Sequence, residues 1–358
     1  MREEILQNVS QIVIKFGTGI LTDDNNLPDP KQIEQLVNQV AALHRAKKGI
    51  ILVSSGAVGA GMGALGLKER PTELPKLQAC AALGQSQLIA TYQEFFAKKG
   101  ILTAQVLLTH EDLKHHDRHL NARNTLATLI DQGIIPIVNE NDAVSYTELK
   151  FGDNDALSAL VASLIPADLL VILTTADGVI EHFGTPQAKR ISLIEKIDRN
   201  IESLASGTTS VTATGGMTTK IQAAKIASRS GIPTLIGTGE KKHTLKHMLA
   251  GKDEGTLILP STAKLKSRKR WIAFFHHPNG RLIVDAGAKI ALRENGKSLL
   301  PKGIVRTEGE FSKDEIVSIC DLEGTEFARG IVAIGSEQFT ALSPSTKVVV
   351  HRNNLVIL

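Results

Sequence analysis

The sequence predicts an α/β protein with a mostly parallel sheet, followed by a small β-barrel. Three observations carry that reading. Over the first 260 residues short β-branched runs alternate with longer helical patterns, the signature of βαβ units. At Lys264 to Arg270 (KLKSRKR) the composition turns to a basic run, and beyond it the apolar runs become short and are separated by Gly, Asn and Asp. The length, 358 residues, also exceeds the roughly 250–300 residues over which a single core usually grows. The division expected is 1–260, a linker over 261–274, and 275–358.

Ile12 to Phe16 reads as the first strand. Asp29 then offers an N-cap with Pro30 at the first helical position, Ile33, Leu36, Val37, Val40 and Leu43 fall on one face, and Gly49 is the stop. Ile50 to Val53 is the second strand. Helical runs follow over Leu77 to Leu83 and Gln87 to Lys99, then a strand at Ile101 to Leu108, a helix at Leu120 to Gln132 and a strand at Ile134 to Val138. After a polar loop come a helix from Ala156 to Leu164, a strand at Leu169 to Leu173, helices over Ser192 to Leu204 and Met217 to Arg229, and strands at Thr234 to Ile236 and Leu257 to Leu259. In the last hundred residues the short strands are Leu282 to Val284, Ile316 to Ile319, Gly330 to Ile334 and Val348 to His351, a pattern suited to a barrel of about 80 residues.

Composition bounds the function. With 42% hydrophobic and 22% charged residues the chain is globular. Aromatics make up only 4%, which poorly supplies a base-stacking platform for single-stranded nucleic acid. Cys80 and Cys320 form no CxxC pattern and read as buried thiols. The N-terminus has no signal-peptide core, and no apolar run of about 18 residues could span a bilayer, so a cytoplasmic location without a membrane partner is expected. Residues 1–260 carry 26 Lys+Arg against 27 Asp+Glu, and residues 261–358 carry 15 against 10. The excess of five equals the five cations of KLKSRKR, which leaves the barrel near neutral and makes nucleic-acid binding unlikely.

The stretch Asn139 to Asp155 (NENDAVSYTELKFGDND) concentrates carboxylates and amides between a strand and a helix, where an open α/β sheet binds its ligands. Lys15 is followed at once by Gly17-Thr18-Gly19, so an ammonium stands beside a turn whose N–H groups can face phosphate. Taken alone, that pattern also fits a lysine snorkelling from a strand end. Ser54, Ser55 and Gly56, with Gly59, Gly61 and Gly63, follow the second strand in the same way and could let backbone approach a ligand. Thr214, Gly215, Gly216, Met217, Thr218, Thr219 and Lys220 open a helix toward an anion. Several anion sites beside an acidic loop suited to Mg²⁺ and an amine point to phosphoryl transfer, which depends on positioning and charge neutralisation. No GxxxxGK[ST] occurs, since Leu67 stands where that motif needs lysine, and the protein-kinase HRD and DFG signatures are missing. His115, His116 and His119 read as part of a solvated loop, not a metal site.

The segments IVIKFGTGILT, VSSGAVGAG, AALGQSQL, NARNTL, IPIVNENDAV, KFGDNDALSALVA and TGGMTTKIQAA, in this order over residues 12–260, resemble the glutamate 5-kinases of the amino acid kinase family. SLLPKGI, GEFSKDEIV and the closing VHR are similar to the PUA domain. The resemblance implies a three-layer α/β/α sandwich that transfers the γ-phosphoryl of ATP, with Mg²⁺, to the side-chain carboxylate of L-glutamate in proline biosynthesis. It implies that Lys15 and Lys220 neutralise the transferring group and that Asp155 holds both ammonium groups. Ser55, Asp142 and Asn154 would bind glutamate, with Asp142 on its α-ammonium, and Asp153 would join them or hold Mg²⁺; no residue is assigned outright as a metal ligand. ATP would lie across Thr174, Thr175 and the Thr214 to Lys220 loop. The family pattern has Thr-Asp where this chain has Thr174-Thr175, and Asp177 is the nearby carboxylate that could substitute. A homo-oligomer (dimer or tetramer), proline as feedback inhibitor and hand-over to glutamyl-phosphate reductase also follow from the resemblance.

Overall fold

The structure, a computed structural model, describes residues 2–23, 27–145, 154–206, 216–261, 269, 272–273, 278–341 and 348–358. It forms two compact units, Met1–Lys264 and Leu265–Leu358.

The first unit is built on eight strands: β1 (Gln11–Phe16), β2 (Gly49–Ser54), β3 (Thr103–Leu108), β4 (Ile135–Glu140), β5 (Leu169–Thr174), β8 (Leu193–Ile194), β9 (Thr234–Thr238) and β10 (Thr256–Ile258), with a separate hairpin of β6 (Ile180–Glu181) and β7 (Lys189–Arg190). Their order is β3-β4-β2-β1-β5-β9-β10-β8, and every pairing is parallel except β9 with β10. Alternation along the strands decides which layer each side chain meets. Ile12, Ile14, Phe16, Ile50, Leu52, Ile135 and Ile137 join one core with the helices Pro30–Arg45 and Leu74–Ala97. The opposite side of β1, β2, β4 and β5 is contacted by the helix Asn154–Leu164, which also packs on the helix Met217–Arg229. This is the expected three-layer α/β/α arrangement.

Local chemistry sets the element ends. Asp29 caps the helix Pro30–Arg45 by accepting from the N–H groups of Lys31 at 2.9 Å and Gln32 at 3.3 Å. The two helical runs expected between Leu77 and Lys99 are one helix, Leu74–Ala97. A helix at Ala57–Ala64 occupies the Gly-rich segment after β2, entered through Gly56 at φ +105°, a left-handed conformation that favours glycine. Gly61 and Gly84 let this helix and Leu74–Ala97 touch along their backbones: a Cβ on Gly61 would stand 1.9 Å from Cys80 O, and one on Gly84 1.9 Å from Ala57 O. The Gly61 of the expected ligand-approach site therefore serves helix packing.

Two further expectations are corrected. The helix expected over Ser192 to Leu204 splits into β8, paired with β10 at Leu193↔Leu257 and Ile194↔Ile258, and a helix Arg199–Ser206 begun by Asp198, whose Oδ1 accepts from Ile201 N. Sheet-edge pairing overrides the helical period there. His116 and His119 lie on the helix His116–Asp131, and not in a loop. The segment just before it is shaped by a capping box in which Thr109 and Asp112 exchange hydrogen bonds.

The second unit contains a five-stranded mixed sheet, ordered β12 (Ile304–Glu308), β11 (Gly280–Val284), β13 (Ile316–Cys320), β14 (Glu326–Val332) and β15 (Val350–Ile357). A helix, Ala286–Arg293, follows β11 and is capped by Asp285. Leu282, Val284, Val317, Ile319, Phe327 and Val350 share its main core. β14 begins before the expected Gly330 and β15 runs well past the expected His351, because the two strands pair over Ala328↔Ile357 to Val332↔Val350. Residues 264–268 and 270 of KLKSRKR lie outside the described residues.

Candidate active site

The carboxyl ends of β1, β2, β4 and β5 converge on one buried cluster. Lys15 belongs to β1, and the parity that sends Ile14 and Phe16 into the core turns Lys15 to the other face, where Asp155 opens the helix Asn154–Leu164. Lys15 Nζ stands 2.5 Å from Asp155 Oδ1, an ion contact without hydrogen-bond alignment. Lys220 Nζ donates to Asp155 Oδ2 at 3.0 Å. Thr219 Oγ1 reaches the same oxygen at 3.0 Å and Gly216 O at 2.8 Å. Lys15 is 3% exposed, Lys220 5% and Asp155 0%.

Two ammonium groups on one carboxylate give this buried triad a net charge of +1. Taken by themselves these three groups leave one positive charge, which suits an anionic ligand. The helix Met217–Arg229 starts at Gly216 with no side-chain cap, which leaves its first turn to meet an anion. The turn at Gly17 is tied to β5 by Gly17 N donating to Leu173 O at 2.9 Å. A Cβ at Gly17 would stand 3.2 Å from Leu173 O and 3.8 Å from Lys15 Nζ, so glycine keeps the space beside the ammonium open.

On the other side of Asp155 lies an amide network. Asn154, buried, donates through Nδ2 to Ser54 O at 2.7 Å and to Asn139 Oδ1 at 2.6 Å. Asn139 Nδ2 donates to Gln85 Oε1 at 2.7 Å. Ser54 Oγ lies 2.9 Å from Tyr92 OH, and complete burial pushes the Tyr92 phenol well above its ordinary value, with the Ser54 bond acting the other way. Ser55 is buried next to this network, at the end of β2. Asp142 is half-buried in the turn after β4, within electrostatic reach of Arg70.

The structure thus brings together Lys15, Asp155, Lys220 and Thr219, and beside them Asn154. Thr174 ends β5 and accepts from Gly239 N at 2.9 Å, and the Thr175 methyl packs 3.1 Å from an ideal Cβ on Gly19. Asp177, the nearby carboxylate, pairs with Lys241 at 3.0 Å and lies 3.5 Å from Arg190. Asp153, Thr214 and Gly215 lie outside the described residues; Gly216, Met217 and Thr218 form the start of the helix that carries Lys220. Sequence reasoning gave no role to Gln85 or Tyr92. Gln85 sits inside the AALGQSQL segment, but a half-buried helical glutamine carries no signal until the fold sets it against β4.

The profile described as the amino acid kinase family matches residues 10–238, and that of the PUA domain matches residues 280–349. The chain is 46% identical to a protein named glutamate 5-kinase from Geobacter sulfurreducens, over the full length of both, and 44% identical to one of the same name from Caldanaerobacter subterraneus, over 97% of this chain and 98% of that one. Among solved structures, a carbamate kinase from Giardia lamblia bound to AMP-PNP superposes with a TM-score of 0.51 at 18% identity, over 71% of this chain and 99% of that one. The UMP kinase from Bacillus anthracis gives 0.51 at 15% identity, over 72% and 98%. These last two likenesses concern the fold alone.

Proposed function

The chain belongs to the amino acid kinase family, and from that premise we propose that it transfers the γ-phosphoryl group of ATP to the side-chain carboxylate of L-glutamate, the first step of proline biosynthesis. The observation that carries the reading is the buried Lys15–Asp155–Lys220 triad with its net positive charge, in a chain related over its whole length to glutamate 5-kinases.

The chemistry follows from the groups present. An acceptor carboxylate is already ionised at neutral pH, so attack on the γ-phosphorus needs no general base. It needs two anions brought together and in-line alignment. Lys15 from β1 and Lys220 from the helix Met217–Arg229 would flank the transferring group, each held by one oxygen of Asp155, so that both charges are in place before the charge shifts toward the leaving ADP. The uncapped start of that helix, from Gly216 through Met217, Thr218 and Thr219, suits the nucleotide phosphates, with Thr174 and Thr175 beside them. Mg²⁺, when bound, offsets phosphate charge. Asp155 is already engaged by Lys15 and Lys220. Asp142 would pair with the α-ammonium of glutamate, with Ser55 and Asn154 completing the acceptor site.

The proposal extends to a homo-oligomer, to proline as feedback inhibitor, and to hand-over of the product, a reactive acyl phosphate, to glutamyl-phosphate reductase. It extends also to a cytoplasmic location; among the described residues no helix is long and apolar enough to cross a membrane. A coupled ADP-release assay over glutamate, aspartate, acetylglutamate and UMP tests the reading: glutamate alone should support rapid turnover, and preference for another acceptor would refute it. Asp142→Asn should raise the KM for glutamate about 10- to 100-fold, the worth of a charge-assisted hydrogen bond, and leave the KM for ATP nearly unchanged. Equal effects on both would remove Asp142 from the acceptor site.

A further inference from the structure

The side-chain amides at the acceptor end have a polarity that backbone groups dictate. Ser54 O can only accept, so the atom of Asn154 facing it at 2.7 Å is Nδ2. Glu140 N can only donate, so the atom of Asn139 facing it at 2.9 Å is Oδ1. These two constraints agree at the bond between them, Asn154 Nδ2 to Asn139 Oδ1 at 2.6 Å. They leave Asn139 Nδ2 as a buried donor, which Gln85 Oε1 satisfies at 2.7 Å from the helix Leu74–Ala97.

Two consequences follow. Both protons of Asn154 Nδ2 are used inward, so the part of Asn154 left for a ligand is Oδ1, an acceptor; it takes no hydrogen bond from a described residue and is not among the sealed, unpartnered atoms. A carbonyl oxygen attracts an ammonium group and repels a carboxylate. Asn154 is thereby set to read the nitrogen of an amino acid, and not its carboxylates. Among the described residues, Gln85 supplies the acceptor that satisfies Asn139 Nδ2. Without an acceptor there, a buried donor would stand unpaired, and rotation of Asn139 toward another partner would free Asn154 to turn its Nδ2 outward.

We propose that Gln85 is a specificity-determining positioning residue: through Asn139 it holds Asn154 with Oδ1 toward the acceptor, so that Asn154 and Asp142 together select an α-ammonium. This rests on the reading of the chain as a kinase of an α-amino acid. It assigns Gln85 no contact with the reacting atoms.

The test compares Gln85→Met, which keeps length and removes the acceptor, with Gln85→Glu, whose carboxylate oxygen can still accept from Asn139 Nδ2. Steady-state kinetics on the full chain use glutamate, glutarate (the same diacid without the ammonium group) and ATP, alongside thermal melting. Gln85→Met should raise the KM for glutamate about tenfold, the effect of one well-placed hydrogen bond, and reduce the preference for glutamate over glutarate by a similar factor. The KM for ATP should stay close to wild type, and the melting temperature should fall by no more than a few degrees, the cost of one unpaired buried donor. Gln85→Glu should recover most of the preference for glutamate. The proposal is overturned if Gln85→Met leaves the glutamate preference intact, if it shifts both KM values together with the melting temperature as a packing defect would, or if Gln85→Glu does no better than Gln85→Met. A wild-type enzyme that prefers a different α-amino acid refutes the glutamate reading, while the variants assayed on that acceptor still decide the role of Gln85. Preference for an acceptor without an ammonium group refutes both.

Discussion

Replacing Asp155 by asparagine should destabilise the first unit more than any other single change in the active site. Asp155 is fully buried and faces Lys15 Nζ at 2.5 Å and Lys220 Nζ at 3.0 Å. At an effective dielectric of about 20, each contact is worth roughly 6 kcal/mol of attraction, most of it offset by the cost of taking the ions out of water. The asparagine keeps the shape and removes the charge, so Lys15 and Lys220 both lose the carboxylate they share and the summed charge of the three groups rises from +1 to +2. Removing one partner of a buried ion pair costs about 3–5 kcal/mol, a large share of the 5–15 kcal/mol typical of a folded domain. The matching fall in melting temperature is on the order of 10 °C. Lys220→Met should cost less, because it leaves Lys15 and Asp155 as a balanced pair. Urea denaturation of the ligand-free proteins measures both. If Asp155→Asn stays within about 1 kcal/mol of wild type, or if Lys220→Met is equally damaging, the charge argument fails.

Lys15→Ala and Lys220→Ala should each lower kcat by about 10²–10³-fold, in the range seen on removing a transition-state donor, with a far smaller change in the KM for glutamate; a raised KM with near-normal kcat in steady-state assays would contradict the role given to them. Gly84→Ala places a Cβ 1.9 Å from Ala57 O and 2.2 Å from Gly61 N, so the helices must separate at a cost of about 1–3 kcal/mol or more; unchanged denaturation would show that they can slide apart freely. A chain ending near Pro260 should still phosphorylate glutamate, since every candidate catalytic group precedes Lys264 and the first unit has its own core; loss of turnover in a truncated protein with normal circular dichroism would show otherwise. The isolated second unit should bind RNA weakly at moderate salt, and tight, salt-sensitive binding in a titration would overturn its reading as a near-neutral module.

The sequence by itself determined the elements whose signals are local. Asp29-Pro30 announced a helix start, the β-branched runs announced β1, β2, β4 and β5, and the Gly-rich segments beside Lys15 and Lys220, with the polar stretch Asn139 to Asp155, marked candidate ligand sites before any contact was known. Only the tertiary structure decided what depends on which surfaces meet. Ser192 to Leu204 carries a helical period, yet Leu193 and Ile194 extend because β10 offers an edge to pair with. Gly61 resembles a ligand-loop glycine until Cys80 is seen against its backbone. Asp177 gives no sign in the chain of its pairing with Lys241 and Arg190. Gln85 is silent in the chain, because its role comes from facing Asn139 across 54 residues of sequence. Propensity and pattern are properties of a few neighbouring residues, whereas the polarity of a buried amide is set by whichever backbone group the fold brings to it.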